Sequence, residues 1–248
     1  MPTLGIIPAR FASTRFPGKP LVDINGKTMI QRVWEQANKA ELIDDVIVAT
    51  DDKKIFDTVI TFGGKVEMTS EACKTGTDRC FEIIKNQSKY DIIVNIQGDE
   101  PFIDPSQIDI VIKLLKENTD LEIATLSKKI SDSEQLFNPN VVKLVKDKKQ
   151  KALYFSRNPI PFFRNSPKDK WIALHNYYKH IGLYAYRITT LKEIAKLKQT
   201  SLELSESLEQ LRWLENGYSI GVGLTTLETM GIDTPEDLEN ILKQISFD

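Results

Sequence analysis

The chain has 248 residues, enough for one large α/β domain or two small ones. Its 33 Lys and Arg against 35 Asp and Glu leave a formal charge of −2, which excludes the broad basic surface of a nucleic-acid-coating protein. No apolar run approaches the roughly 20 residues of a membrane span, and Met1-Pro2-Thr3 lacks the basic-then-apolar order of a signal peptide.

Residues 3–8 form a short apolar strand that runs into Pro8-Ala9-Arg10-Phe11-Ala12-Ser13-Thr14-Arg15-Phe16-Pro17-Gly18-Lys19-Pro20. Arg10, Arg15 and Lys19 share this loop, with small or hydroxylic residues between them. Backbone N–H groups and cations can press onto phosphates from such a loop without steric obstruction. Ligands of open α/β sheets gather outside the carboxyl ends of the strands, where this loop begins. Asn25-Gly26 marks a turn before a helix over 28–40, with Thr28 placed to cap it. Strands over 45–50, 65–68, 92–96 and 122–126 then alternate with helices over 52–62, 78–85 and 105–117. Right-handed crossovers between them predict a mostly parallel sheet covered on both faces, a three-layer α/β/α fold. Cys73 and Cys80 lack metal-knuckle spacing and read as ordinary thiols, Cys80 buried on a helix, in a reducing cytoplasm.

The second half changes character. Residues 141–145 and 152–155 flank a polar segment and predict a hairpin. Residues 158–178 carry Phe162, Phe163, Trp171, Tyr177 and Tyr178 without regular periodicity. That much aromatic surface favours burial, and a subunit interface is the preferred reading. A strand over 181–186, helices over 191–197 and 204–215, a strand over 219–224 and a helix from Pro235 complete the chain. A single domain over 1–248 is expected, with residues 138–190 as an antiparallel elaboration.

Gln97-Gly98-Asp99-Glu100-Pro101 follows the strand at 92–96, so Asp99 lies where a Mg2+ ligand is needed. Gly231-Ile232-Asp233-Thr234-Pro235 places Asp233 just before a Thr-Pro helix start, where Thr234 can itself be the cap. If both segments face the first loop, Asp99 and Asp233 can hold Mg2+ over phosphates, the equipment of phosphoryl or nucleotidyl transfer. Thr75-Gly76-Thr77-Asp78-Arg79 reads as a helix start, with Thr77 as cap and Asp78 favourable to the dipole.

The loop from Ile7 to Leu21 resembles the signature of the CMP-KDO synthetases, the 3-deoxy-manno-octulosonate (KDO) cytidylyltransferases. The resemblance continues through Gly76-Thr77-Asp78-Arg79, residues 94–101, Phe137-Asn138-Pro139-Asn140, Ala152-Leu153-Tyr154-Phe155-Ser156-Arg157, residues 180–187, Leu208-Glu209-Gln210-Leu211-Arg212 and residues 233–238. It implies a nucleotidyltransferase that makes CMP-KDO and pyrophosphate from CTP and KDO for lipopolysaccharide assembly, with Mg2+, as a homodimer. Another 2-keto sugar acid, an N-acylneuraminate or 8-amino-KDO, is the alternative substrate. By the same resemblance Ala9, Arg10, Ser13, Arg15, Lys19, Thr77, Arg79 and Asp99 hold the nucleotide, and Asp99 and Asp233 the metal. Arg10, Lys19, Asp99 and Asp233 are the expected catalytic residues. Gln97, Arg157, His180, Tyr184, Glu209 and Gln210 are expected at the sugar acid, where the planar fork of Arg157 suits a carboxylate. His175 has no such support and reads as structural.

Overall fold

Residues 1–12, 16–228 and 231–244 are described by the computed structural model. The first half comprises β1 (Thr3–Ala9), the paired short strands β2 (Asp23–Ile24) and β3 (Lys27–Thr28), and α1 (Met29–Ala37). It continues with β4 (Asp45–Thr50), α2 (Lys53–Thr61), β5 (Lys65–Met68), α3 (Gly76–Ile84), β6 (Ile92–Asn95) and α4 (Pro105–Glu117). The second half holds β7 (Ile123–Lys129), α5 (Ser133–Phe137), β8 (Lys143–Lys146), β9 (Ala152–Ser156) and α6 (Trp171–Leu174). Then come β10 (Tyr178–Arg187), α7 (Ile188–Ile194), α8 (Ser201–Glu206), α9 (Gln210–Glu215), β11 (Ile220–Thr225) and α10 (Pro235–Gln244).

Among the described residues, one sheet runs in the order β11-β7-β10-β6-β1-β4-β5, with β8 paired to β10 and β9 to β8. Strands β1, β4, β5 and β6 pair in parallel, as do β7 and β11. Within that row of seven, β10 reverses, antiparallel to both β6 and β7. The carboxyl ends of β1, β4, β6, β7 and β11 therefore share one edge with the start of β10.

The near-continuous apolar runs of the central strands reflect burial on both faces. Leu4 and Ile6 of β1 point to the face covered by Cys80 and Ile83 of α3, Leu191 of α7 and Leu211 of α9. Ile7 and Ala9 point to the other, against Ile30 and Val33 of α1, Val59 of α2 and Val111 of α4. The alternating direction of successive side chains in a strand produces this split, and with it the three layers. Helix α1 is capped by Thr28, whose side chain accepts from the Gln31 N–H.

Two local expectations are corrected. The helix over 204–215 is two helices: Ser207, with φ 52°, ends α8, and α9 starts only at Gln210. The aromatics of 158–178 are largely enclosed within the chain itself. Trp171 and Tyr177 are buried against Ile130 and Leu136, with Phe137 and Phe163 packed beside them. Phe162 remains 71% exposed.

Candidate active site

A cavity of about 310 Å³ opens at the carboxyl edge of the sheet. Its walls are Pro8, Ala9 and Arg10 where β1 ends, Lys19 and Pro20 from the returning loop, and residues 73–76 with Arg79 at α3. Gln97, Gly98 and Asp99 beyond β6, with Asp233 before α10, close it. The loop returns because Gly18 adopts φ 73°, a region open to glycine, and its N–H donates to the Phe11 carbonyl at 3.0 Å. Pro20 is buried there and anchors the single 3-10 turn that carries Lys19.

Lys19 is the hub. Its Nζ donates to Asp99 Oδ2 at 2.7 Å and to Asp233 Oδ1 at 3.1 Å, so carboxylates 134 positions apart in sequence converge on one ammonium. Gly98 makes the approach of Asp99 possible, since a Cβ there would lie 2.7 Å from the Pro8 carbonyl oxygen. The two acidic segments are joined through the backbone, the Ile232 N–H donating to the Asp99 carbonyl at 2.9 Å. Ile232 is fully buried beside Ile24, Met29 and Ile241. Thr234 accepts from the Asp237 N–H, and Asp237 in return accepts from the Thr234 N–H. Thr234 thus caps α10, and the Asp233 carboxylate faces Lys19. Burial, reinforced by the charge of Asp99, pushes the adjacent Glu100 carboxyl up to about 7.

At α3 the cap is Thr75, in a reciprocal box with Asp78; Thr77 is not the cap as expected. Nor does Thr77 line the cavity: it is buried, and its hydroxyl donates to Glu209 Oε2 at 2.9 Å. Two residues on, Arg79 donates to Asp51 Oδ2 at 2.7 Å, at the end of β4, and to the Thr69 hydroxyl. That anchoring holds its guanidinium at the cavity wall.

Of the residues expected at the sugar acid, Gln97 lines this cavity, whereas Arg157, His180, Tyr184, Glu209 and Gln210 do not. Gln97 donates to the Gly182 carbonyl at 2.9 Å, where the β10–β7 register shifts between Ile181 and Tyr184. Behind it His180 packs against Phe155 and Tyr184 and meets the Thr125 hydroxyl at 3.0 Å. Burial pulls its imidazole down to about 3, so the ring is neutral at pH 7. Tyr184 stacks on Tyr186 and meets the edge of Trp213. Glu209 and Gln210 stand at the start of α9, Gln210 buried. Burial raises the pKa of Glu209.

Arg157 is engaged by the chain's own backbone. Its guanidinium donates to the carbonyls of Glu206, Pro139 and Ser207 at 2.6, 3.1 and 3.3 Å. Its backbone N–H meets the Glu206 carboxylate. With its fork turned to backbone oxygens, Arg157 ties the exit of β9 to the end of α8 and is absent from the cavity wall. Ser13 and Arg15 lie outside the described residues. Sequence reasoning missed Lys74 and Asp51. Lys74 directly precedes the Thr75-Gly76 helix start, a signal that was available; the Asp51–Arg79 pair bridges 28 positions and had none.

Among the described residues no three His, Cys, Asp or Glu side chains converge as a metal cage. Two carboxylates beside a cationic phosphate cradle are nevertheless the donor set Mg2+ uses, because it keeps waters and takes its remaining ligands from substrate phosphates. The oxygens of Asp99 and Asp233 already converge on a single cation, Lys19, so this pair fits such an ion. An edge of this kind is built for polyphosphate chemistry, and the class it defines is the α/β nucleotidyltransferase.

Comparison with known proteins narrows the class. The family model described as cytidylyltransferase matches residues 4–220. A curated 3-deoxy-manno-octulosonate cytidylyltransferase from Parabacteroides distasonis is 56% identical, the match covering 98% of this chain and 97% of the relative. One of the same name from Bacteroides thetaiotaomicron is 58% identical over 97% and 96%. A solved CMP:2-keto-3-deoxy-manno-octonic acid synthetase complexed with CTP superposes with a TM-score of 0.92 at 40% identity, covering 98% of each chain. A cytidylyltransferase from Leptospira borgpetersenii, 18% identical with a TM-score of 0.63, shares the fold. The chain belongs to the cytidylyltransferases, and within them to the 3-deoxy-manno-octulosonate cytidylyltransferase family.

Proposed function

We propose that this protein transfers CMP from CTP to KDO, giving CMP-KDO and pyrophosphate for lipopolysaccharide assembly. The convergence of Asp99 and Asp233 on Lys19 beside the β1 loop carries the reading, and the relatives' names supply the sugar acid. In this reaction the anomeric hydroxyl of the sugar attacks the α-phosphorus, the bond to the β-phosphate oxygen breaks, and pyrophosphate leaves as the hydroxyl proton is lost. Arg10 and Lys19 would offset the charge gathering on departing pyrophosphate, the kind of contribution that is usually the largest in such catalysis. Arg79, fixed by Asp51, and the Gly76 backbone form the wall on which the nucleoside is oriented. Asp99 and Asp233 would hold Mg2+, which when bound neutralises phosphate charge and lowers the pKa of the attacking hydroxyl. Gln97, which lines the cavity, with His180, Tyr184, Glu209 and Gln210 beyond it, would supply the polar and aromatic contacts to the sugar acid. His180, being neutral, acts there as a hydrogen-bonding group.

The same reading makes the protein a cytoplasmic homodimer. Leu153, Phe162 and Leu174, exposed by 60%, 71% and 55%, are apolar side chains of residues 138–190 suited to a twofold contact. Among the described residues no helix is long and apolar enough to cross a membrane.

Pyrophosphate release is to be measured with purified protein, CTP, Mg2+ and each sugar acid in turn. Turnover with KDO is expected. Turnover with an N-acylneuraminate or 8-amino-KDO and none with KDO overturns the assignment of the acceptor.

A further inference from the structure

We infer that Thr77 is a positioning residue for the sugar-acid side of the site, holding the Glu209 carboxylate between the starts of α3 and α9. The inference rests on the proposed function and assigns Thr77 to the acceptor, not the nucleotide. Thr77 is 2% exposed and is the second residue of α3, between Gly76 and Arg79 two positions on, both of which line the cavity. Its hydroxyl donates to Glu209 Oε2 at 2.9 Å, while Glu209 Oε1 lies 3.9 Å from Arg212 Nη2. One carboxylate oxygen is thus hydrogen-bonded by Thr77, and the other faces the guanidinium at a longer distance.

Arg212 is itself immobilised. Its Nε donates to Glu203 Oε2 at 2.7 Å, its Nη2 to Glu203 Oε1 and its Nη1 to the Leu197 carbonyl. Both members of this pair are buried. The guanidinium consequently offers Glu209 a fixed but long contact, and the short directional bond comes from Thr77. That bond joins the elements bearing the two halves of the proposed site: α3 at the nucleotide cavity, and α9, whose Trp213 packs against Tyr184. A hydrogen bond to a charged group is worth more than a neutral one, and its loss leaves the partly buried carboxylate poorly satisfied.

The groups facing Glu209 define a second readout. Arg212 on α9 and the Thr77 hydroxyl favour the ionised carboxylate, whereas burial, Asp78 on α3 and Glu203 on α8 oppose it. Tyr184 and Tyr186 face it from β10, and Cys80 from α3. Removing the hydroxyl therefore favours the protonated form.

The test is Thr77→Val, which preserves shape, with Thr77→Ser as rescue, assayed by pyrophosphate release from CTP with KDO and by thermal unfolding. Thr77→Val is expected to raise KM for the sugar acid about tenfold, the equivalent of one hydrogen bond to a charge. KM for CTP stays within about twofold, and the acid limb of kcat/KM for the sugar acid moves to higher pH. Thr77→Ser restores all three. Wild-type kinetics in Thr77→Val, or a loss confined to KM for CTP, overturns the inference. Absence of turnover by the wild type with KDO instead overturns the functional reading on which it rests.

Discussion

Two cations at the β1 edge and three of the second half have contrasting surroundings. At the β1 edge, Arg10 is exposed and Lys19 meets two carboxylates at the mouth of a cavity. In the second half, the Arg157 guanidinium is engaged by three backbone carbonyls, the Lys143 ammonium by three more, and Arg212 by Glu203. Cations whose partners lie away from the cavity hold elements together, whereas cations on its wall, Lys19 with its carboxylate partners included, can face a ligand. Residue type does not distinguish the two; the partners do.

The comparison breaks most visibly if the carboxylates at the cavity prove dispensable. Asp99→Asn and Asp233→Asn are each expected to lower kcat about a thousandfold with Tm nearly unchanged, because they alter the proposed metal ligands and not core packing. Near-normal turnover in either variant, measured at saturating Mg2+, refutes the pairing. Lys19→Gln is expected to lower kcat/KM for CTP about a hundredfold, the usual scale for one lost electrostatic donor. Titration with CTP while following pyrophosphate checks it.

Arg10→Ala and Arg157→Ala sharpen the contrast between the halves. Arg157→Ala should cost about 2 kcal/mol in chemical denaturation by orphaning backbone carbonyls, with KM for the sugar acid little changed. Arg10→Ala should do the reverse, raising KM for CTP while leaving stability intact. A selective rise in sugar-acid KM for Arg157→Ala would return that residue to the acceptor site.

The smallest effect concerns pH. His180 titrates near 6.5 when unfolded and at about 3 when folded, lowered by burial. The native state binds fewer protons between those values, so the stabilisation present above pH 6.5 is lost as pH falls towards 3. Between pH 7 and 5 the wild type should lose about 1 to 2 kcal/mol more than His180→Gln, measured by denaturant unfolding at each pH. Equal slopes would show the ring to be solvated.

Much of the framework was legible along the chain. Strands β4 and β5 and helix α4 fall on their expected bounds because local periodicity and turn residues agree there with the global fold. The break at Ser207 escaped, since the apolar repeat continues across it while one residue adopts a positive φ. Trp171 and Tyr177 announced burial, but their covering partners, Ile130 and Leu136, come from a distant segment. Thr77 was misjudged because a threonine at a helix start normally caps, and Thr75 two positions earlier already did so.

By itself the sequence determined the alternation that forces a mostly parallel sheet, the cationic loop after its first strand and the acidic segments after later ones. Those features follow from local chemistry: side-chain periodicity, turn residues and charge spacing. Only the tertiary structure decided which charges answer one another. It brought Asp233 to Asp99 and set the Arg157 guanidinium against backbone carbonyls, because pairing across distant positions depends on which strand ends and helix starts the packed core sets side by side.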